Sequence, residues 1–126
     1  MTQRVDLGRA DELQGALFLP EARGRVPAVV VLHERYGLAK HTLDLAQRFA
    51  DDGYVAIAPD LFSRWEGDRA ALARGDVRVT LPDHDVADVV DAAIARVARE
   101  QAVDPEKVAV MGVCQSGRYP IVAASR

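Results

Sequence analysis

A single cysteine stands in this chain, at position 114, inside the run Met111-Gly112-Val113-Cys114-Gln115-Ser116-Gly117. An apolar run at 108–111, with β-branched Val108 and Val110, leads into Gly112, and small and polar residues then precede a second apolar run at 121–124. That order predicts a strand, a sharp turn and a helix, with the thiol at the turn. The thiolate is the reactive form of cysteine, and a helix N-terminus favours it because it favours negative charge. Gly112 lets backbone approach closely where a larger side chain would crowd the sheet. The N–H of Gln115, the next residue, would face the oxyanion formed when Cys114 attacks a carbonyl. Ser116 is a competing nucleophile, but a turn of this kind centred on it requires glycines at 114 and 118, where the chain has Cys114 and Arg118.

A carboxylate immediately after a buried strand is costly unless it is paired or exposed. Glu34 holds such a position and, across a sheet edge from Cys114, could accept the thiol proton. The backbone N–H of Arg35 is the candidate second oxyanion donor, because that donor comes from the loop after this strand. The side chains of Arg35, Arg64, Arg69 and Arg118 could each bind a carboxylate bidentately, although each taken singly reads as a solvated surface charge. The segment Asp60-Leu61-Phe62-Ser63-Arg64-Trp65 follows a strand end and could line a pocket. His33 reads as a structural hydrogen-bonding residue rather than a base, and His41 and His84 as surface residues near helix starts. No HExxH or other metal-ligand spacing occurs, and no GxGxxG or P-loop, so the motifs imply neither metal nor cofactor.

The elements that must position these groups follow from hydropathy pattern. Residues 5–7 and 13–19 predict a short N-terminal hairpin. Pro27-Ala28-Val29-Val30-Val31-Leu32 is a continuous apolar run, as expected of a strand buried on both faces. Leu43, Ala46, Phe49 and Ala50 recur at helical spacing, and Gly53 is the expected stop. Tyr54-Val55-Ala56-Ile57-Ala58 predicts the next strand, ended by Pro59. A short helix is expected around 69–73. A long one, capped by Asp83 or Asp85, carries the stripe Val86, Val89, Val90, Ala93, Ile94 and Val97. Asp104-Pro105-Glu106 reads as a turn, 107–111 as the last strand, and Gln115 onward as a helix. Strands alternating with helices after the hairpin predict an α/β architecture, a mostly parallel sheet with helices on both faces. Ligands in such sheets sit beyond the carboxyl ends of the strands, which puts Glu34 and Cys114 on one rim.

Bulk properties narrow the function classes. At 126 residues, 49% of them apolar and 28% charged, the chain is an ordinary globular size and composition for one domain. A formal net charge of −3 gives no basic footprint for nucleic acid. No apolar run is long enough to span a bilayer, and Met1-Thr2-Gln3-Arg4-Val5-Asp6 lacks the apolar core of a signal peptide. A lone cysteine allows no internal disulfide, so a reducing, cytoplasmic setting is the simplest expectation.

Three segments, His33-Glu34-Arg35-Tyr36-Gly37-Leu38, the stretch 45–60 (LAQRFADDGYVAIAPD) and Gly112-Val113-Cys114-Gln115-Ser116-Gly117, occur in an order and spacing that resemble the dienelactone hydrolases, a cysteine-using branch of the α/β-hydrolase fold. The resemblance implies hydrolysis of lactones or esters by a fold roughly twice this length, with a nucleophile elbow at Cys114. It gives Glu34 the carboxylate that contacts the resting thiol, and gives the oxyanion donors to the N–H groups of Arg35 and Gln115. Two departures stand out. The family carries two glycines where this chain has Ser116 and Gly117. Its triad aspartate and histidine transfer to no position here.

The expectation is therefore that residues 1–126 form the N-terminal portion of a single α/β-hydrolase domain, through the nucleophile elbow. Its substrate would be a small-molecule ester or lactone, with no nucleic-acid or membrane partner. Its other half would be a missing C-terminal segment, a second chain or a homo-oligomer partner. The alternative is a non-catalytic binding or interaction module, or an inactive fragment, that retains the elbow.

Overall fold

The computed structural model describes residues 2–7, 13–21, 24–113 and 116–125. It contains β1 (Thr2–Asp6), β2 (Gln14–Phe18), β3 (Val26–Leu32), α1 (Lys40–Asp51), β4 (Val55–Pro59), α2 (Arg69–Arg74), α3 (Asp83–Ala98), β5 (Val103–Gly112) and α4 (Tyr119–Ala124). The strands form one sheet in the order β1-β2-β4-β3-β5. β1, β2 and β4 pair antiparallel in succession, whereas β3 runs parallel to both β4 and β5. The hairpin and the parallel core thus stand as the hydropathy pattern implies, and the sheet as a whole is mixed.

Alternation along the strands sends side chains to two separate cores. Ala28, Val30 and Leu32 of β3, with Val55 and Ile57 of β4, join Leu72 of α2, Val86, Val90, Ala93 and Val97 of α3, and Tyr119 of α4. Val29 and Val31, with Ala56 and Ala58, face Ala46 and Ala50 of α1. The α1 face is built largely of alanine on alanine, which lets helix and sheet approach closely. The α3 face is filled by larger branched residues. Helices therefore cover both faces. The stripe read from the sequence is buried on α3, apart from a half-buried Ile94.

Helix α1 stops as expected at Gly53, whose φ is 101° and whose N–H bonds the Ala50 carbonyl at 3.0 Å. β1 begins at Thr2 rather than at 5, and three later boundaries also differ from the sequence reading. Neither Asp83 nor Asp85 caps α3: Pro82 occupies the cap position, and both aspartates lie in the first turn, where they still complement the helix dipole. β5 begins at Val103 rather than at 107, because a buried Val103 pairs with Val26 before the chain bulges out. Within that bulge Asp104 accepts the Glu106 N–H at 3.1 Å, which is the expected turn contained inside the strand. The last helix begins at Tyr119 instead of 115, since its first bonds run from the N–H groups of Ile121 and Val122 to the Arg118 carbonyl. Among the described residues no helix is long and apolar enough to cross a membrane.

Ile57 is fully buried at the centre of the α3 face. Ile57→Ala should lower the unfolding free energy by about 2–5 kcal/mol. Urea denaturation of the two proteins side by side measures it, and a loss within the error of the midpoint would contradict the central place given to this face.

Candidate active site

The strand order turns at β3. The chain leaves β3 over α1 to reach β4 on one side, then crosses the other face through α2 and α3 to β5 on the opposite side. Loops that part to opposite faces open a crevice at the carboxyl ends of the two strands between them. β3 and β5 end level, with Leu32 paired to Gly112. Glu34 and Cys114 each stand two positions beyond that pair. Cys114 and Gln115 themselves lie outside the described residues, so the nucleophile and its adjacent N–H remain expectations of the sequence.

The residues on either side of them are tied together. The Ser116 N–H donates to the Val113 carbonyl at 3.0 Å, and the Val113 N–H donates to Ser116 Oγ at 3.1 Å. The same hydroxyl donates back towards the Val113 carbonyl at 3.0 Å and reaches the Leu32 carbonyl at 3.4 Å. At 1% exposure, with its proton engaged on backbone, Ser116 closes the turn, and its geometry is that of a strut rather than a nucleophile. The glycine before the turn is required sterically: a Cβ on Gly112 would lie 2.2 Å from the Ser116 carbonyl oxygen.

Glu34 follows the buried end of β3 and is half-buried, lining a small cleft with His33, Phe62, Ser116 and Tyr119. Its carboxylate has no hydrogen-bond or ion-pair partner among the described residues. The neighbouring Arg35 does not neutralise it. That guanidinium donates to the Gly75 carbonyl at 2.8 Å, beyond the end of α2, and lies over the Tyr36 ring.

His33 is 1% exposed and bonded at both ring nitrogens. Nε2 accepts the Leu61 N–H at 2.9 Å, which leaves the ring proton on Nδ1, donated to the Glu34 carbonyl at 2.8 Å. The structural role read from the sequence is the one it has. Asp60 Oδ1 lies 3.7 Å from Nε2, beyond hydrogen-bond reach.

Asp60 pairs with Arg69 at 2.9 Å and accepts the Phe62 N–H at 2.9 Å. Burial alone would push its carboxyl up. The Arg69 guanidinium and the Phe62 N–H pull the other way, and the carboxyl is held below the usual aspartate range. Arg69 also donates to the carbonyls of Phe62 and Trp65. Arg64 pairs with Asp85 and Arg118 with Asp83. Each of these three arginines is therefore engaged on the protein itself, where the sequence reading took each singly as a solvated surface charge. His41 and His84 are exposed, as expected. A larger cavity, of about 330 Å³, is walled by Tyr36, Leu38, Asp60, Arg69 and Leu72 and includes neither Glu34 nor Ser116. The small cleft, by contrast, lies where the strand ends converge.

The sequence missed the anchors of this site. Asp68 accepts the N–H groups of Ala70 and Ala71 at 3.0 and 3.2 Å and starts α2, an aspartate cap legible one residue before the expected helix. The Arg69–Asp60 pair and the Arg35–Gly75 bond carry no comparable local signal.

A doubly covered α/β sheet with a glycine-led turn after its edge strand defines the α/β-hydrolase class. Residues 13–126 match the dienelactone hydrolase family, and the chain belongs to it. It is 33% identical over 123 residues to the Bradyrhizobium protein named "Probable 2-oxo-3-(5-oxofuran-2-ylidene)propanoate lactonase", covering 95% of this chain and 50% of that one. It is 31% identical over 105 residues to the Methylorubrum extorquens "Putative carboxymethylenebutenolidase", covering 79% of this chain and 36% of that protein. The crystal structure of a dienelactone hydrolase-like promiscuous phosphotriesterase from metagenomic libraries superposes with a TM-score of 0.78 at 29% identity, over 98% of this chain and 53% of the other. The chain thus spans between about a third and a half of the length of these relatives.

Because the folded Asp60 carboxyl is held low, the stability it supplies is present above the ordinary aspartate value of about 3.9 and is lost as pH falls through the folded value. Asp60→Asn should flatten that acid limb and cost about 1–2 kcal/mol at pH 7, a figure already reduced for the exposed guanidinium of Arg69. Thermal melts of both proteins between pH 3 and 7 measure it. Equal acid limbs would remove Asp60 from the account.

Proposed function

We propose that residues 1–126 form the N-terminal portion of a single α/β-hydrolase domain and carry the nucleophile side of a carboxylic ester or lactone hydrolase. Cys114 attacks the carbonyl carbon. The thiol proton passes to Glu34, and the oxyanion is held by the N–H groups of Arg35 and Gln115. A thioester forms as the alkoxide leaves, and water then releases the acid with the help of a base that no position in this chain supplies. That base, and the acid that orients it, belong to the remainder of a domain of the relatives' length, which would cover the outer edge of β5. The relatives' names point to an unsaturated lactone as substrate. A reducing compartment would keep the thiol free.

The observation that supports this reading most is the level pairing of Leu32 with Gly112, beside a Glu34 carboxylate without a partner among the described residues. Three loops converge there, and the only cysteine of the sequence follows the shorter turn.

The test is acylation of Cys114 by p-nitrophenyl acetate, followed through p-nitrophenolate release. Cys114→Ala should abolish the release above background. Glu34→Gln should slow it about a hundredfold, the scale of a lost general base. Release from the unaltered chain no faster than from a cysteine peptide would leave a non-catalytic binding module as the better account.

A further inference from the structure

The Glu34 carbonyl is held from two sides. His33 Nδ1–H donates to it at 2.8 Å, and the Gly37 N–H at 3.2 Å. The Glu34–Arg35 peptide is trans, as are all the described peptide bonds, so its C=O and N–H point in opposite directions. Fixing the carbonyl therefore fixes the direction of the Arg35 N–H, the group proposed above as an oxyanion donor.

The ring that fixes it is itself constrained. A backbone N–H can only donate, so the 2.9 Å bond from Leu61 makes Nε2 an acceptor and commits the proton to Nδ1. The ring is 1% exposed and packs edge-on against Phe62, with centroids 4.9 Å apart. Leu61 lies in the segment after β4, so the ring also bridges the loops that leave two neighbouring strands. A histidine needed only to fill this space would not require two bonds of opposite sense, one to each of those loops.

We infer that His33, locked as its Nδ1–H tautomer by the Leu61 N–H, is a positioning residue that aims the Arg35 N–H at the reacting carbonyl. This rests on the hydrolase reading of the site.

Two reagents separate the roles, because Cys114 is the only thiol. With p-nitrophenyl acetate the thiolate sulfur bonds the acetyl carbon through an oxyanion, the ester C–O bond breaks and p-nitrophenolate departs. With iodoacetamide the thiolate displaces iodide at a saturated carbon and no oxyanion forms. In the unaltered chain, acylation relative to alkylation should exceed that of a cysteine peptide. His33→Leu should lower acylation about tenfold or more, a fraction of the effect of deleting an oxyanion donor outright, with alkylation changed less than twofold. His33→Asn, whose amide can donate from near the Nδ1 position, should keep most of the acylation rate. Equal losses in both reactions, or no loss in either, would reduce His33 to a structural part and overturn the inference. A ratio in the unaltered chain equal to that of the peptide would instead sink the hydrolase reading itself. Should the leucine variant fail to fold, the asparagine variant and the ¹⁵N shifts of the unaltered ring decide. A protonated Nδ1 with bare Nε2 is expected, and the opposite tautomer overturns the inference.

Discussion

The parallel pairing of β3 with β5 is the constraint on which the rest of the site depends. Leu32 and Gly112 end level, and Ser116, beyond the end of β5, reaches back with its hydroxyl to the Leu32 carbonyl at 3.4 Å. A slip of one residue would displace one loop against the other by about 3.3 Å, more than any hydrogen bond tolerates. It would also exchange the faces of the strand. The branched residues of the α3 side would then meet the alanine surface that α1 presents, where there is no room for them. Packing of two unequal faces thus sets the register, and the register sets the site.

The loops beyond the strand ends are held by polar groups that burial obliges to find partners. His33 spans from the Glu34 carbonyl to the Leu61 N–H, Asp60 takes Arg69 and the Phe62 N–H, and Arg35 reaches the Gly75 carbonyl. These bonds connect the loops after β3 and β4 with both ends of α2. Within this frame the Glu34 carboxylate has no partner among the described residues. The adjacent Arg35 is committed to the Gly75 carbonyl instead.

Much of the fold was legible because apolar periodicity is a direct record of burial. The run 27–32 and the α3 stripe predicted β3 and α3 nearly to the residue, and Gly53 marked the end of α1. Boundaries failed where tertiary contacts overrode local preference. Val103 joins β5 ahead of Pro105 because the core rewards its pairing with Val26, and Pro82 takes the cap although two aspartates follow it. Of the site, His33, Glu34 and Arg35 were legible from their place after a buried strand. The partners of His33 and Arg35 were not, because Leu61 lies 28 residues from His33 and Gly75 lies 40 from Arg35, and no local pattern encodes such pairings.

The serine at 116 shows how a departure from a family pattern can be read physically. Where the resemblance expects glycine, this chain places a hydroxyl, and that hydroxyl satisfies the Val113 N–H inside the turn. A glycine there would leave that donor to water or to a ligand and would add backbone freedom that folding must remove. The gain in rigidity fills space at the cleft floor, since Ser116 lines the same wall as Glu34 and Tyr119. The absence of a side chain at Gly112 and its presence at Ser116 are complementary, because the Ser116 carbonyl and Oγ occupy the volume that a Cβ at 112 would need. The turn therefore pairs a glycine that leaves space at 112 with a serine that fills it at 116. It trades room at the cleft floor for a backbone fixed to the end of β3.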